Sequence, residues 1–352
     1  MAAVLLFPLR VQAVSAQKAI VLDAGTGRVL YEKNADDQSL IASTTKIMTA
    51  LVVCEQTNVL DRVRIPKEAV GIEGSSMYLR EGEVLTVQEL LYGLMLHSGN
   101  DAAVALAIYC GGTVEGFAQL MNDEAARIGL ENTHFVNPHG LDAPNHYSTA
   151  RDLAALAAYA MENPLFRQTV STRNVTVGGR SLRNHNKLLW QVEGADGVKT
   201  GYTRAAGRIL VSSAERDGRR LVAVTINAPD DWNDHAALFD DGFSRFSVQR
   251  IVTEGDRIGT MEVEGGEGAK VELLAAEDFS YAVAAVENVS VSLGGTGFVY
   301  APVVEGAEAG SAWVCLDGKP VGKIALRYGR TVERIPEEET SFWDRIFGGE
   351  QK

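Results

Sequence analysis

A serine and a lysine lie one helical turn apart in the stretch LIASTTKIMTA, residues 40–50. Residues three apart share a helix face, so the amine of Lys46 can reach the hydroxyl of Ser43. An alcohol attacks a carbonyl efficiently only after a base has taken its proton. The helix N-terminus also favours the negative oxygen that develops in acyl transfer. The pair could therefore carry out acyl transfer, although serine is also a common N-cap and lysine a common surface residue.

The lysine can act as a base only if it is neutral. In water a lysine side chain has a pKa near ~10.4, so Lys46 needs surroundings that disfavour its charge. Burial has this effect, and so has a second cation, for which Lys199 is the candidate. The S-x-x-K spacing also occurs at Ser15 and Lys18, and chance supplies roughly one such pair in a chain of this length. The spacing alone is therefore weak evidence for catalysis.

A second polar motif, HSGND, interrupts two apolar stretches and contains the only S-x-N of the chain. At a break between helices, side chains can point into a cleft. The Ser98 hydroxyl can relay a proton, and the Asn100 amide can donate to a substrate carbonyl. An ordinary helix cap would have the same residue types.

A third motif, DGVKTGYT, contains the only K-[ST]-G and opens a region of predicted strands. Lys199 can supply positive charge and Thr200 a hydroxyl, while Gly201 lets a substrate backbone lie close to the strand. The alternative is a turn that begins a strand and carries an exposed lysine.

Helices and strands are predicted around these motifs. Both ends of the region read as β-hairpins, AIVLDAGTGRVLYEKN and GRILVSSAERDGRRLVAVTI, each with glycine in its turn. Apolar residues recur with helical spacing between them, in residues 44–53, TVQELLYGLML, DAAVALAIYC and TARDLAALAAYAM. Distant strands with helices between them predict one sheet covered by helices, an α/β (α+β) architecture that ends near residue 250.

Beyond residue 250, short valine-rich runs alternate with Gly, Glu and Asp, which predicts a small all-β domain. The predicted divisions are a signal peptide at 1–16, a catalytic domain at 17–250, a β-sandwich-like domain at 251–335, and an acidic linker with an amphipathic tail at 336–352.

The N-terminus favours a secretory signal. Its apolar run, residues 2–9, is much shorter than the roughly 20 residues of a spanning helix. Val14, Ser15 and Ala16 resemble a small-residue cleavage site. An N-terminal strand or arm is the alternative.

The tail contains the segment SFWDRIFGG. Its large apolar side chains fall on one helical side and suit contact with a membrane surface. These residues are Phe342, Trp343, Ile346 and Phe347. A short helix that docks on the β-domain is the alternative.

Composition limits the function classes. The chain has 33 Lys and Arg against 46 Asp and Glu, a formal charge of −13, which argues against a nucleic-acid surface. The three cysteines, Cys54, Cys110 and Cys315, are too few and too scattered for a disulfide framework or a CxxC site. The six histidines lack metal-ligand spacing, so we expect no cofactor. An acidic chain that binds an anionic substrate must gather its cations locally.

The three motifs occur in the order S-x-x-K, S-x-N and K-T-G, a combination typical of penicillin-interacting serine enzymes. The chain closely resembles the low-molecular-mass penicillin-binding proteins that act as serine-type D-alanyl-D-alanine carboxypeptidases. The resemblance covers nearly all of residues 18–250, through ASTTKIMTALV, LLYGLMLHSGNDAAVALA, THFVNPHGLDAPNHYSTARDLA, NHNKLLW and DGVKTGYT. The β-domain and the amphipathic end are also similar to that family.

The resemblance implies a β-lactamase/transpeptidase-like fold and action on peptidoglycan stem peptides outside the cytoplasm, at the outer membrane face or as a secreted protein. It implies β-lactams as covalent inhibitors. By match to the family's motifs, the implied roles are Ser43 as nucleophile, Lys46 as base, Ser98 as a catalytic residue, Asn100, Lys199, Thr200 and Gly201 as substrate-binding residues, and the backbone N–H groups of Ser43 and Tyr202 as the oxyanion hole.

Two other functions are compatible with the motifs. A β-lactamase shares the trio, but class A enzymes also use a glutamate to activate the deacylating water, and we find none in a clearly matching loop after Ser98. A non-catalytic wall-binding scaffold would be expected to have lost catalytic residues, whereas the trio is intact.

Overall fold

The structure, a computed structural model, describes residues 14–268, 270–295 and 297–336. Residues 1–13 of the predicted signal peptide lie outside this range. So does the predicted membrane-contacting segment with Phe342, Trp343, Ile346 and Phe347. The chain divides into two compact units between Phe246 and Ser247.

The helices and strands of the first unit follow in chain order. They are β1 (Lys18–Asp23), β2 (Val29–Lys33), α1 (Lys46–Gln56), β3 (Arg62–Arg64), β4 (Val84–Thr86), α2 (Val87–Leu96), α3 (Asn100–Gly111), α4 (Val114–Arg127), α5 (Ala150–Glu162), α6 (Pro164–Ser171), β5 (Asn174–Val177), β6 (Arg180–Arg183), α7 (Leu188–Gln191), β7 (Ala195–Thr203), β8 (Gly207–Arg216), β9 (Arg219–Ile226) and α8 (Asp231–Arg245). Short 3-10 turns occupy Ala42–Thr45 and Lys67–Ala69.

The central sheet has five antiparallel strands in the order β2-β1-β9-β8-β7. Strand β1, near the start of the chain, pairs along its length with β9, which begins about 200 residues later. This arrangement confirms the predicted sheet built from distant hairpins. It also leaves β7, which carries the K-T-G motif, at an edge of the sheet.

Both faces of the sheet are buried. On β9, Val222 and Val224 face the larger core with the helices, whereas Leu221 and Ala223 face a second core that includes Leu238 of α8. This alternation follows from the period of two along a strand. Each fully buried aliphatic side chain contributes about 1.5–3 kcal/mol relative to exposure, so the layered packing fixes the position of the edge strand.

The second unit is all-β in the part of the chain that the structure describes. Its strands are β10 (Phe246–Val252), β11 (Arg257–Glu264), β12 (Lys270–Ala275), β13 (Phe279–Ala284), β14 (Val289–Gly294), β15 (Phe298–Tyr300), β16 (Glu308–Leu316) and β17 (Lys319–Tyr328). Six of them form a sheet in the order β14-β16-β17-β12-β11-β15, and β10 pairs with β13. Its core includes Leu273, Val314 and Ile324.

No single helix within residues 14–268, 270–295 and 297–336 has the length and apolarity to cross a membrane. The bent pair α3 and α4 meets that test by length and composition only.

The segment that resembles a cleavage site is packed into the first unit. Val14 is 5% exposed and Ala16 is fully buried in the core under α8. The backbone N–H and the hydroxyl of Ser15 donate to Asp234 at 2.9 and 2.7 Å, and Lys33 Nζ donates to the Ala16 carbonyl at 2.6 Å. Residues 14–16 are therefore part of the folded unit.

Candidate active site

Ser43 lies in a 3-10 turn, Ala42–Thr45, and α1 begins only at Lys46. The sequence predicted a helix from residue 44. The structure has this helix, but its first turn is a 3-10 turn, which is wound more tightly than an α-helix. Thr44 holds the turn, because its backbone N–H and its hydroxyl both donate to the Ile41 carbonyl, at 3.1 and 2.5 Å. Ala42, just before the nucleophile candidate, has φ of 45°, which is an uncommon conformation for a residue other than glycine.

The Lys46 amine lies 3.0 Å from the Ser43 hydroxyl and is completely buried. It also donates to Asn100 Oδ1 at 2.7 Å and to the His139 carbonyl at 2.6 Å. A neutral amine has two N–H groups and one lone pair. The two acceptors occupy both N–H groups, so the lone pair is directed at the Ser43 hydroxyl, as a base requires.

The surroundings of Lys46 favour its neutral form. Burial is the main cause that lowers its pKa well below the usual value, and the charge of Lys199 lowers it further. The carboxylate of Asp101 opposes this shift. Burial also lowers the pKa of Lys199, to about 7, and its Nζ donates to the Thr200 carbonyl at 2.8 Å. Burial thus disfavours the charge of both lysines, and the charge of Lys199 adds to this effect at Lys46.

The S-x-N segment joins α2 to α3, and Ser98 has φ of 61°. Asn100 begins α3 and is only 4% exposed. Its Oδ1 accepts from Lys46, and its Nδ2 donates to the Glu73 carbonyl at 2.5 Å. The Nδ2 group has a second N–H besides the one that contacts Glu73, so the donation of Asn100 to a substrate amide stays a prediction. Its Oδ1 is at the same time one of the two acceptors that hold the Lys46 amine.

A buried carboxylate organises the neighbouring segment. Asp101 accepts from the Ser76 hydroxyl at 2.6 Å and from the backbone N–H groups of Met77 and Leu79 at 3.1 and 3.0 Å. The preceding residue, Ser75, accepts from the Asn100 backbone N–H at 2.7 Å. The start of α3 thus holds one wall of the site in place.

The K-T-G strand packs directly on the nucleophile turn. A Cβ atom added to Gly201 would lie 3.3 Å from Ala42 Cβ, from the Ile41 carbonyl oxygen and from the Ser43 nitrogen. A side chain at this position would require the nucleophile turn to shift by a few tenths of an ångström. The contact brings the backbone of β7 next to Ser43, with Tyr202 following and its side chain 67% exposed.

These elements enclose a cleft of about 300 Å³. Its lining includes five of the predicted residues, namely Ser43, Ser98, Thr200, Gly201 and Tyr202. The other three, Lys46, Asn100 and Lys199, are buried, each at most 4% exposed. The remaining lining residues were not predicted from the sequence; they are Ser75, His185, Arg208, Ile209, Asp231 and Trp232.

Two of the missed residues form an ion pair in the cleft wall. Arg208 lies opposite Tyr202 in the β7–β8 register, and its guanidinium donates to both oxygens of Asp231, at 2.7 and 2.9 Å. Desolvation raises the pKa of Asp231 despite this pairing. The sequence could have indicated Arg208 only through its position opposite the K-T-G motif in the β7–β8 hairpin. No pattern in the sequence indicates Asp231.

His185 belongs to the stretch NHNKLLW, to which the sequence analysis gave no role. Desolvation and the charge of Lys199 lower its pKa to about 4, so the ring is neutral near pH 7. No group of three or more His, Cys, Asp or Glu side chains in the described ranges could hold a metal ion. The chemistry that the site can perform is nucleophilic attack by a hydroxyl activated by a buried amine.

Comparisons with known proteins match both units. The family model described as D-alanyl-D-alanine carboxypeptidase matches residues 7–230, and that of the penicillin-binding protein 5 C-terminal domain matches residues 246–334. The chain is 33% identical to the D-alanyl-D-alanine carboxypeptidase DacF of Bacillus subtilis, over 86% of this chain and 82% of the relative. It is 34% identical to DacC of Escherichia coli, over 95% and 87%. The crystal structure of penicillin binding protein 5 from Haemophilus influenzae matches with a TM-score of 0.79 at 31% identity, over 92% of this chain and 99% of that one.

Proposed function

The chain belongs to the D-alanyl-D-alanine carboxypeptidase family of serine peptidases, and we propose that Ser43 and Lys46 carry out the reaction. The enzyme removes the terminal D-alanine from the peptidoglycan stem peptide, the activity that its family and curated relatives share. β-Lactams, which acylate such serine enzymes, attach to the same hydroxyl.

Acylation begins with the neutral Lys46 amine. Its lone pair takes the proton of the Ser43 hydroxyl, whose oxygen attacks the carbonyl carbon of the penultimate D-alanine. The negative oxygen that forms is stabilised by the backbone N–H groups of Ser43 and Tyr202. The contact of Gly201 with the nucleophile turn supports this role, because it brings the two backbone segments together.

The amide bond then breaks and the terminal D-alanine leaves as an amine. Ser98, at the wall of the cleft, relays the proton from Lys46 to the departing nitrogen. Water attacks the resulting ester, Lys46 again takes the proton, and the free hydroxyl of Ser43 is restored.

The terminal carboxylate of the substrate is held by Lys199 and by the Thr200 hydroxyl. A bound carboxylate raises the pKa of Lys199 from its value of about 7 in the free enzyme. The ammonium therefore forms when the substrate enters, and the pair is largely shielded from water.

One observation supports this mechanism above all. The Lys46 amine contacts the Ser43 hydroxyl, while its two N–H groups are bound by Asn100 and the His139 carbonyl. The test is fluorescent penicillin labelling together with release of D-alanine from a pentapeptide, for wild type, Ser43→Ala and Lys46→Ala. We expect both variants to lose both activities. A penicillin adduct on the Ser43→Ala protein would refute the nucleophile assignment, and peptidoglycan binding without D-alanine release by wild type would favour a scaffold.

A β-lactamase would release penicillin quickly. The carboxylate in the cleft wall is Asp231, and Arg208 occupies both of its oxygens, so it is poorly suited to activate water. We therefore expect a long-lived penicilloyl adduct. Time-resolved release of labelled penicillin checks this, and turnover within seconds would favour the β-lactamase function.

The substrate lies outside the cytoplasm, so we propose that the chain is exported by an N-terminal signal. Removal of residues 1–16 would take away the buried Val14 and Ala16 and the bonds from Ser15 to Asp234. The sequence VQA at residues 11–13 offers a second small-residue cleavage site. We expect the mature protein to begin at Val14, which intact-mass measurement of the exported protein would establish. A mature chain that begins at Gln17 would contradict this.

We further propose that the tail contacts a membrane surface through Phe342, Trp343, Ile346 and Phe347. Their apolar bodies suit the interface between lipid head groups and acyl chains. Co-sedimentation with anionic lipid vesicles tests the proposal, with a Phe342→Ser/Trp343→Ser variant for comparison. Equal binding by the variant would instead favour docking of the tail on the β-unit.

A further inference from the structure

A loop that comprises residues 136–141 lies against the start of α1 and supplies one of the two acceptors of the Lys46 amine. We call it the supporting loop. Its His139 carbonyl accepts from Lys46 Nζ at 2.6 Å. The carbonyl of the preceding residue, Pro138, accepts from the Thr49 hydroxyl at 2.7 Å. Lys46 and Thr49 lie three residues apart and share one face of α1, so the loop is bonded to the helix face that carries the base.

The side chain of Asn137 holds the supporting loop in shape. It is 9% exposed. Its Oδ1 accepts from the backbone N–H groups of Gly140 and His139 at 2.7 and 3.3 Å, and its Nδ2 donates to the Leu141 carbonyl at 2.9 Å. These bonds satisfy backbone groups of a segment that has no helix or strand to satisfy them. The direction of the His139 carbonyl therefore depends on Asn137.

The supporting loop also touches the turn that carries the nucleophile. Gly140 has φ of 88°, and a Cβ atom added there would overlap the Ala42 carbonyl. Gly201 approaches the same turn from β7. The turn is thus in contact with both the supporting loop and the K-T-G strand. A shift of the loop would disturb the Ser43 turn as well as the carbonyl that holds Lys46.

One imidazole connects the supporting loop to the residue before Lys46. His146 is 2% exposed. Its Nδ1 accepts from the Val136 backbone N–H at 3.1 Å, and its Nε2 lies 2.8 Å from the hydroxyl of the fully buried Thr45. Because the backbone N–H can only donate, Nδ1 carries no proton and Nε2–H donates to Thr45. Burial lowers the pKa of His146 to about 4, so the neutral ring keeps both bonds near pH 7.

We propose that His146 and Asn137 are positioning residues for the base Lys46. His146 joins the supporting loop to the start of α1, and Asn137 sets the turn that carries the His139 carbonyl. Together they keep that carbonyl on one N–H group of the Lys46 amine, so that the lone pair stays directed at Ser43. The inference rests on the proposed function, in which this amine takes the proton of the hydroxyl.

This role affects the chemical step and leaves substrate binding unchanged. An amine released from the His139 carbonyl can rotate about its Cε–Nζ bond, and an N–H group then faces the Ser43 hydroxyl in place of the lone pair. Displacement of a catalytic group by about 1 Å can lower a rate by about 100-fold. The residues that line the cleft include Thr200 but neither His146 nor Asn137. The affinity for a ligand of the cleft should therefore be preserved when the support is lost.

The experiment follows penicillin acylation of the full chain by stopped-flow at a series of penicillin concentrations. This separates the rate constant of acylation from the dissociation constant of the noncovalent complex. The test variant is His146→Leu, which loses both bonds. His146→Gln is the conservative variant, because its amide can accept from the Val136 N–H and donate to the Thr45 hydroxyl. His134→Leu is the matched control, since the ring of His134 bonds to the Asn145 carbonyl and, within the described ranges, to no residue of α1.

We expect His146→Leu to lower the rate constant of acylation about tenfold or more, because the base is displaced. Its dissociation constant should stay within about twofold of wild type. The rate constant of His146→Gln should stay within about threefold of wild type, and His134→Leu should change neither quantity. Circular dichroism checks that each variant is folded. If His146→Leu does not fold, Asn137→Ala, which removes the three bonds of that side chain, takes its place with the same expected result.

Several results would overturn the inference and leave the proposed function intact. One is a folded His146→Leu protein that is acylated as fast as wild type. Another is a loss of affinity as large as the loss of rate, or an equal loss in His134→Leu, since either would indicate a general structural disturbance. Acylation of His146→Gln as slow as that of His146→Leu would also exclude the two bonds as the cause. By contrast, wild-type acylation of Lys46→Arg would contradict the proposed function itself.

Discussion

At the scale of single residues, the proposed mechanism depends on the protonation of two buried lysines. Lys46 must be neutral before substrate binds, and Lys199 must be charged once it has bound. Burial disfavours the charge of both, and the charge of Lys199 lowers the pKa of Lys46 further. The substrate carboxylate can compensate only for Lys199, because Lys46 faces a hydroxyl. In the proposed mechanism, Lys46 therefore acts as the base beside Ser43, and Lys199 binds the substrate carboxylate.

The first residue-scale prediction concerns Lys46→Arg. A guanidinium keeps the positive charge but stays protonated at any accessible pH, so it cannot take the proton of Ser43. We expect the rate of acylation by penicillin to fall by about 100-fold or more. Stopped-flow labelling measures this rate, with Lys67→Arg, at the surface, as the control. An acylation rate near that of wild type would exclude Lys46 as the base.

The second residue-scale prediction concerns pH. A lysine loses its charge as the pH rises through its pKa. The fraction of free enzyme in which Lys199 is charged therefore decreases above about pH 7. We expect kcat/KM for a peptide with a free terminal carboxylate to fall above that pH, by up to about tenfold per pH unit. At lower pH, kcat/KM should rise as Lys46 loses its proton. Because the pKa of Lys46 is lowered, this rise should occur at a lower pH than that at which an exposed lysine titrates.

A substrate that ends in D-alaninamide provides the control for this pH effect. It has no carboxylate for Lys199 to bind, so its kcat/KM should not show the fall above pH 7. The same fall for both substrates would mean that another group titrates.

At the scale of helices and strands, much of the site was predictable because two of its motifs lie where helices begin and the third lies on a strand. The apolar periodicity of the hairpins and helices predicted the sheet, and it predicted the break at Ser98. The 3-10 turn at Ser43 was not predictable, since it depends on the Ala42 conformation and on packing against Gly201. The partners of Asn100 and Arg208, which are Glu73 and Asp231, come from other elements, and no local pattern indicates them.

The element-scale prediction concerns the start of α3. Asp101→Asn replaces one carboxylate oxygen with an NH₂ group that faces existing donors near Met77 and Leu79. We expect a loss of about 2–3 kcal/mol in the free energy of unfolding, which lowers Tm by roughly 5–10 °C. Thermal unfolding and penicillin acylation would be measured together. Asp123→Asn on the exposed face of α4 is the control, and an equal effect of both would contradict the anchoring role.

At the scale of the whole molecule, each unit has its own core. Among the described residues, the two clusters of the first unit lie within residues 14–243, and those of the second lie within residues 251–332. All residues of the proposed site belong to the first unit. The change to short valine-rich runs predicts a boundary near residue 250, and the described chain divides between Phe246 and Ser247.

The whole-molecule prediction follows from these separate cores. A chain that ends at Phe246 should fold and should be acylated by penicillin at a rate within about threefold of the full chain, since no site residue is removed. Labelling kinetics and circular dichroism check this. A folded fragment that fails to label would show that the β-unit contributes to the site.

The groups of the proposed site come from distant parts of the chain, around residues 43, 98 and 199, and they meet only when β1 has paired with β9 and β7 has packed on the Ser43 turn. A partly assembled molecule can contain helices and still lack a neutral, buried amine beside the hydroxyl. Penicillin labelling should therefore serve as a conformational assay. During refolding from urea, the labelled fraction should lag behind the recovery of helical ellipticity and count only molecules whose chain has completed its longest-range contacts.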